Sequence, residues 1–105
     1  MAKKIQGILT SLITPFKKDD LKLDIDSLMD LMSFINDHNA NGVIPLSSYG
    51  EFNALTLQEK KQILLSVMEV RGPLKVIPNV GSDNFQETFE LAQHAQNIGV
   101  DGILI

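Results

Sequence analysis

The hydrophobic residues of this chain fall into two alternating patterns, short aliphatic runs and longer stretches of helical spacing. Four aliphatic runs predict strands, at 8–14, 43–46, 74–80 and from 102 onward. In three intervening stretches apolar residues recur every three or four positions and predict amphipathic helices, at 25–35, 57–70 and 85–98. The predicted order of elements is therefore βαβαβαβ.

Residues at the ends of the three helical stretches support this prediction. Asp24 and Asp83 are predicted N-caps of the first and third helices, and Thr56 with Glu59 fits the capping box of the second. Gly99 is expected to end the third helix in the left-handed conformation. The apolar face of that helix is predicted to consist of Phe85, Phe89, Ala92, Ala95 and Ile98.

Strands that alternate with helices predict a parallel sheet, because parallel neighbours require a long crossover connection. Successive strands begin about 31 residues apart, close to one eighth of a (β/α)8 barrel of about 250 residues. A doubly wound sheet shows the same alternation, but the G-x-G-x-x-G typical of its first turn is absent after strand one. We therefore expect an α/β fold, with residues 1–105 forming the amino-terminal part of a single TIM-barrel domain, truncated in strand four.

Composition narrows the classes of function. The net charge of −4 comes without a basic stripe that could neutralise phosphates, so nucleic acid is not an expected partner. The absence of cysteine excludes thiolate zinc sites and cysteine nucleophiles. The first residues lack the apolar segment of a signal peptide, and no apolar run approaches the roughly 20 residues of a membrane span. The expectation is a soluble, cytoplasmic protein with no membrane partner.

Candidate chemistry follows each predicted strand, since the active site of a (β/α)8 barrel lies at the carboxyl ends of its strands. The three segments concerned are 14–15, 47–51 and 79–83, and the second of them reads Ser-Ser-Tyr-Gly-Glu. Its hydroxyls and successive backbone N–H groups can form a concave donor site for a carboxylate or a phosphate, with Gly50 permitting a positive φ. An ordinary polar loop explains the same composition, and the pattern alone leaves both interpretations open.

Four segments of the chain carry a family resemblance: 12–16 (LITPF), 47–51 (SSYGE) followed by Leu55-Thr56 and Glu59-Lys60, 76–81 (VIPNVG), and 92–104. In this order and spacing they resemble the dihydrodipicolinate synthase / N-acetylneuraminate lyase family, which includes the 2-keto-3-deoxygluconate aldolases. The resemblance covers essentially the whole chain.

The resemblance implies an enzyme, a carbon–carbon lyase of the class I aldolase type. In this family a barrel lysine forms a Schiff base with pyruvate or another 2-keto acid, so that the iminium serves as an electron sink. A homotetramer without metal or cofactor is implied as well. The family's catalytic lysine and tyrosine belong to strands six and five, beyond Ile105, so no catalytic residue is expected within the chain.

The family's carboxylate-binding loop reads G-[ST]-T-G-E. By this resemblance Ser47 stands at the first glycine, Ser48 and Tyr49 stand at the two hydroxyl residues, and Gly50 stands at the second glycine. The expected substrate-binding residues are Ser47, Ser48, Tyr49, Gly50 and Thr14. Because Ser47 and Tyr49 replace a glycine and a small threonine, we expect a reshaped carboxylate site.

The lysines and histidines of the chain are predicted to take no part in chemistry. Lys75 lies at the amino end of strand three, the wrong end of the barrel, and Asp101 before strand four is expected to be structural. No second histidine lies at metal-ligand spacing from either histidine. The residues expected to be solvated at the surface are Lys3, Lys4, Lys17, Lys18, Lys22, Lys60, Lys61, His38 and His94.

Two alternatives to the enzyme stay open at this stage. One is a non-catalytic barrel of the same family that serves as a small-molecule binding protein, and the other is a natural half-barrel that dimerises. Within the enzyme interpretation, the sequence does not choose between an aldose-derived keto acid, sialic acid and aspartate semialdehyde as the second half of the substrate.

Overall fold

The computed structural model describes residues 5–47 and 54–105. Strands and helices alternate within these ranges, as the hydrophobic pattern predicts. The strands are β1 (Leu9–Ser11), β2 (Gly42–Ile44) and β3 (Lys75–Val76). The helices are α1 (Ile25–Asp37), α2 (Leu57–Val70) and α3 (Phe85–Ile98).

The three strands form a parallel sheet in the order β1-β2-β3, which confirms the predicted parallel pairing. Thr10 lies opposite Val43, and Val43 lies opposite Val76. All three strands are shorter than the predicted runs, and β2 and β3 end before Pro45 and Pro78, which have no N–H to donate to the ladder.

The fourth predicted strand is reduced to one parallel bridge between Asn79 and Leu104. Val80 N donates to Leu104 O at 2.8 Å, and Leu104 N donates to Pro78 O at 2.9 Å. The predicted strand from residue 102 is therefore in the expected place, but it is much shorter than predicted. This segment lies beside β3, where the fourth strand of a barrel belongs.

Capping side chains set where the helices begin. Asp24 accepts a hydrogen bond from Ser27 N at 3.0 Å, and Thr56 forms the complete capping box of α2. The predicted cap of α3 is wrong by one residue: Asn84, not Asp83, reaches the third N–H of the helix, with its Oδ1 3.1 Å from Glu87 N. Gly99 ends α3 at φ 85°, as predicted.

Helix α2 packs against both α1 and α3, and the apolar faces of all three helices meet a core built on the sheet. Val43 and Val76 in the sheet and Leu64 and Val67 in α2 have no exposed surface. Full burial of one such side chain contributes about 1.5–3 kcal/mol. The core also includes Leu12, Leu28, Met32, Ile35, Leu46, Leu55, Ile63, Leu74, Val80, Leu91 and Ala95.

The predicted apolar face of α3 is partly wrong. Phe85 and Phe89 are 79% and 60% exposed, whereas Leu91 and Ala95 are buried. Leu91 and Ala95 are four positions apart and share one helical face, so turning that face inward leaves the two phenylalanines outside. Phe89 lines an open groove of about 380 Å³ together with Ile103.

Candidate active site

The carboxyl ends of the strands bring Thr14, Ser47 and Asn79 to one edge of the sheet. The ladder continues beyond the assigned strands, since Leu12 N donates to Ile44 O and Asn79 N donates to Pro45 O, both at 3.0 Å. Thr14 lies two residues beyond Leu12 and is only 6% exposed. A buried threonine at this edge matches the predicted position of a substrate-binding residue, although its contact with substrate stays a prediction.

Two unfavourable features occupy neighbouring positions at the end of β2. Leu46 is buried and has φ 64°, a left-handed conformation that costs a non-glycine residue about 1–2 kcal/mol. Ser47 Oγ is buried and has no hydrogen-bond partner among the described residues. An unsatisfied buried hydroxyl costs about 1–3 kcal/mol. Strain and an unsatisfied donor side by side are typical of a ligand site rather than of a packing site.

The side chain of Asn79 joins the ends of β2 and β3. Its Nδ2 donates to Leu46 O at 3.1 Å, and its Oδ1 accepts from Gly81 N at 3.2 Å. The orientation of the amide follows from these partners, because a carbonyl requires a donor and an N–H requires an acceptor. Asn79 thus fixes the peptide on which the loop after β2 begins.

The other predicted substrate-binding residues, Ser48, Tyr49 and Gly50, lie outside the described residues. Their roles therefore stay predictions. The structure does place the first residue of their loop, Ser47, at the same edge as Thr14.

Lys60 is not the solvated surface lysine that the sequence predicts. It is 3% exposed, and its Nζ lies 2.7 Å from Glu87 Oε1 in α3. The packing of α2 against α3 removes water from the ammonium group, and the ion pair offsets that loss. Lys61 fits the prediction better: its ammonium is 3.1 Å from Glu90, whose side chain is 57% exposed.

The two histidines differ from each other. His38 is exposed as predicted, with its ring stacked on Phe34 at a centroid distance of 4.1 Å and its Nδ1 2.7 Å from Phe34 O. His94 is half-buried, and its Nε2 is buried without a partner among the described residues. The prediction of a solvated surface residue is wrong for His94, because its ring is half-buried and its Nε2 is buried.

The opposite edge of the sheet holds Asp101, and its predicted structural role is confirmed. The carboxylate accepts from Arg71 Nη2 at 2.6 Å and from Val76 N at 2.9 Å. It therefore ties the turn after α2 and the start of β3 to the segment after α3.

Sequence reasoning placed Asn79 in a candidate segment but assigned it no role. The sequence signal was available, since the segment 79–83 follows the third predicted strand and begins with an amide that can both donate and accept. What the sequence could not indicate was the direction of Leu46 O, which depends on the positive φ of that residue.

Among the described residues, no group of three or more His, Asp or Glu side chains is arranged to hold a metal ion. No helix in ranges 5–47 and 54–105 is long and apolar enough to cross a membrane.

The carboxyl pKa of Asp24, the N-cap of α1, is lowered. The largest cause is the backbone hydrogen bond from Ser27, followed by the bond from the Ser27 hydroxyl.

Solved structures with the same arrangement are barrels of which this chain covers about a third. A prophage protein of the dihydrodipicolinic acid synthase family from E. coli K12, solved in complex with pyruvate, is 34% identical with a TM-score of 0.87 over 92% of this chain and 33% of its own. The sialic acid aldolase of Ruminococcus gnavus is 28% identical, with a TM-score of 0.87 over 92% of this chain and 32% of its own. The described fold is thus the amino-terminal part of a (β/α)8 barrel.

The sequence comparisons agree with this class. The model of the Dihydrodipicolinate synthetase family matches residues 4–105, so the chain belongs to that family. A 4-hydroxy-tetrahydrodipicolinate synthase of Methanococcus maripaludis is 39% identical over 102 residues, which are 96% of this chain and 35% of that protein. The chain spans about a third of the length of the curated relatives that it matches.

Proposed function

We propose that the protein carrying this chain is a Schiff-base-forming carbon–carbon lyase, aldolase or synthase that acts on pyruvate or another 2-keto acid. The observation that carries the proposal is the buried, unpaired Ser47 hydroxyl at the carboxyl end of β2, where the loop with Ser48 and Tyr49 begins. Membership of the family supports it, as does the pyruvate complex of the E. coli relative.

In the proposed reaction this part of the chain binds and orients the keto acid. The hydroxyl and backbone N–H of Ser48 donate to the carboxylate, and the Tyr49 backbone N–H adds a third donor. Such charge-assisted hydrogen bonds are about twice as strong as neutral ones. Thr14 and Ser47 lie at the same edge, and the unpaired Ser47 hydroxyl serves as a further donor to the bound acid.

The covalent step requires a lysine that we place beyond Ile105, together with a tyrosine. The lysine amine adds to the keto carbon and water leaves, which gives an iminium ion. In the lyase direction the electron pair of the breaking carbon–carbon bond moves to the iminium and forms an enamine, and in the synthase direction the enamine attacks an aldehyde. Lys60 is unsuited to this role, since its ammonium is held by Glu87.

The identity of the second substrate stays at the level of a class. Relatives are named 4-hydroxy-tetrahydrodipicolinate synthase and sialic acid aldolase, so one scaffold serves several aldehydes. We propose a metal-independent, cytoplasmic homotetramer without a cofactor, and we leave 2-keto-3-deoxygluconate among the candidate substrates.

Borohydride trapping tests the proposal. The intact protein is incubated with pyruvate and sodium borohydride, and the modified peptide is mapped by mass spectrometry, with borohydride alone as the control. We expect one reduced pyruvate adduct on a lysine outside residues 1–105, formed equally well in EDTA. Pyruvate binding without any adduct would identify a non-catalytic binding protein instead, and loss of the adduct in EDTA would contradict a metal-independent mechanism.

A further inference from the structure

The bonds of Asn79 hold together two segments that both lie at the candidate site. Leu46 O is the last carbonyl before Ser47, and Gly81 N belongs to the loop after β3. Ser47 follows Leu46 directly, so the amide of Asn79 acts on the Ser47 hydroxyl through the Leu46 peptide.

The backbone at Leu46 explains why such a bond is needed. A buried leucine in the left-handed region is stable only if its surroundings hold it there. The carbonyl before Leu46, that of Pro45, accepts from Asn79 N at 3.0 Å. The carbonyl of Leu46 itself accepts from Asn79 Nδ2. Asn79 therefore binds two successive carbonyls, one with its backbone and one with its side chain.

We infer that Asn79 is a positioning residue that holds the Leu46–Ser47 peptide, and with it the buried Ser47 hydroxyl, at the edge where the keto-acid carboxylate is proposed to bind. The inference rests on the proposed function for the identity of the ligand. Without the Nδ2–Leu46 bond the peptide before Ser47 is free to turn, and the Ser47 hydroxyl loses its fixed direction. A preorganised donor strengthens binding because it does not have to be ordered when the ligand arrives.

Two substitutions separate the bonds of Asn79. Asn79→Asp keeps the acceptor for Gly81 N and replaces the donor to Leu46 O by an oxygen that repels it, whereas Asn79→Ala removes both bonds. If the bond to Leu46 is the important one, both variants weaken pyruvate binding. If only the bond to Gly81 matters, Asn79→Asp behaves as wild type.

Asp101→Asn provides the matched control at the other edge of the sheet. It weakens the ion pair with Arg71 without touching the β2 loop. We expect it to lower the melting temperature and to leave the affinity for pyruvate unchanged.

The experiment measures pyruvate affinity and the KM and kcat of the intact protein, together with hydrogen exchange of the peptide covering residues 44–53. For Asn79→Asp we expect about a tenfold rise in Kd and KM, a smaller change in kcat, and faster exchange in that peptide. Unchanged exchange and affinity would overturn the inference, as would faster exchange with unchanged affinity. Wild-type protein that binds no pyruvate would overturn the proposed function instead, and the exchange data would then decide the role of Asn79 alone.

Discussion

The two edges of the sheet differ in the pairing of their polar side chains, although Asn79 at the carboxyl edge is itself paired. At the amino ends of the strands the polar side chains are paired: Asp101 binds Arg71 and Val76 N, and Asn41 Oδ1 accepts from Ile8 N at 2.8 Å. At the carboxyl ends Ser47 Oγ is buried without a partner among the described residues, beside a leucine of positive φ. The paired groups at the amino edge stabilise the fold. At the carboxyl edge the backbone of Leu46 is strained, and the Ser47 hydroxyl is available to bind a ligand. This division agrees with the location of active sites in (β/α)8 barrels.

The largest effect on stability is expected from Asp101→Ala. The change removes two charge-assisted hydrogen bonds and leaves Val76 N and Arg71 without this partner. Each side chain of the pair is about one-fifth exposed, so we expect a loss of about 2–3 kcal/mol rather than the value for a fully buried pair. Urea unfolding of the intact protein measures it. Glu90→Ala, which breaks the more exposed pair with Lys61, is the control and should cost less than about 1 kcal/mol.

Ser48→Ala tests the carboxyl edge in the complementary way. Loss of one charge-assisted hydrogen bond to the keto-acid carboxylate is worth about 1.5–3 kcal/mol, which is roughly a 10- to 150-fold rise in KM. The free energy of unfolding should change little, because loop residues carry few core contacts. Steady-state kinetics with parallel urea unfolding make the comparison, and unchanged pyruvate binding and turnover would refute the placement of the carboxylate site.

Tyr49→Phe sharpens the same test. If the ring forms a wall of the pocket, the variant retains wild-type KM. If the phenol replaces the hydroxyl of the family's threonine, KM rises as it does for Ser48→Ala.

Ser47→Ala is expected to uncouple stability from binding. The hydroxyl is buried without a partner, so its removal should raise the free energy of unfolding by about 1 kcal/mol. Pyruvate affinity should fall at the same time if the hydroxyl serves the ligand. Calorimetric titration and urea unfolding of one preparation give both values. A loss of stability with unchanged affinity would show that Ser47 belongs to the packing of the fold.

Predictions from the sequence succeeded where the signal is local. The helix caps Asp24 and Thr56 and the terminator Gly99 depend on neighbours within four residues, and the structure confirms all three. The alternation of strands and helices predicts the parallel sheet for the same reason, since each element carries its own hydrophobic period.

Predictions failed where a partner lies far along the chain. Lys60 is buried and forms an ion pair with Glu87, which is 27 residues away in another helix. Phe85 and Phe89 fit a helical stripe, but the packing of α3 selected the face with Leu91 instead. At the candidate site the residue types of Thr14 and Ser47 were readable, whereas the bond from Asn79 to Leu46 depends on one backbone angle that composition does not encode.

The smallest effect on the free energy of unfolding is expected from a change at Asp24, the N-cap of α1. Hydrogen bonds from Ser27 to Asp24 lower the pKa of this carboxyl below its ordinary value. A lowered pKa in the folded state means that the charged cap contributes stability above the unfolded pKa, and that this stability is lost as the pH falls through the folded pKa.

Asp24→Asn keeps an amide acceptor for the cap and removes the charge that interacts with the helix dipole. The difference in unfolding free energy between wild type and Asp24→Asn should therefore be small and in favour of wild type at pH 6, and should decrease as the pH falls below the unfolded pKa of 3.8. Asp26→Asn removes a charge from the same helical turn without breaking the cap, and it is the matched control in urea unfolding across the same pH range. If the two variants follow the same curve, net charge near α1, and not the bond to Ser27, is responsible.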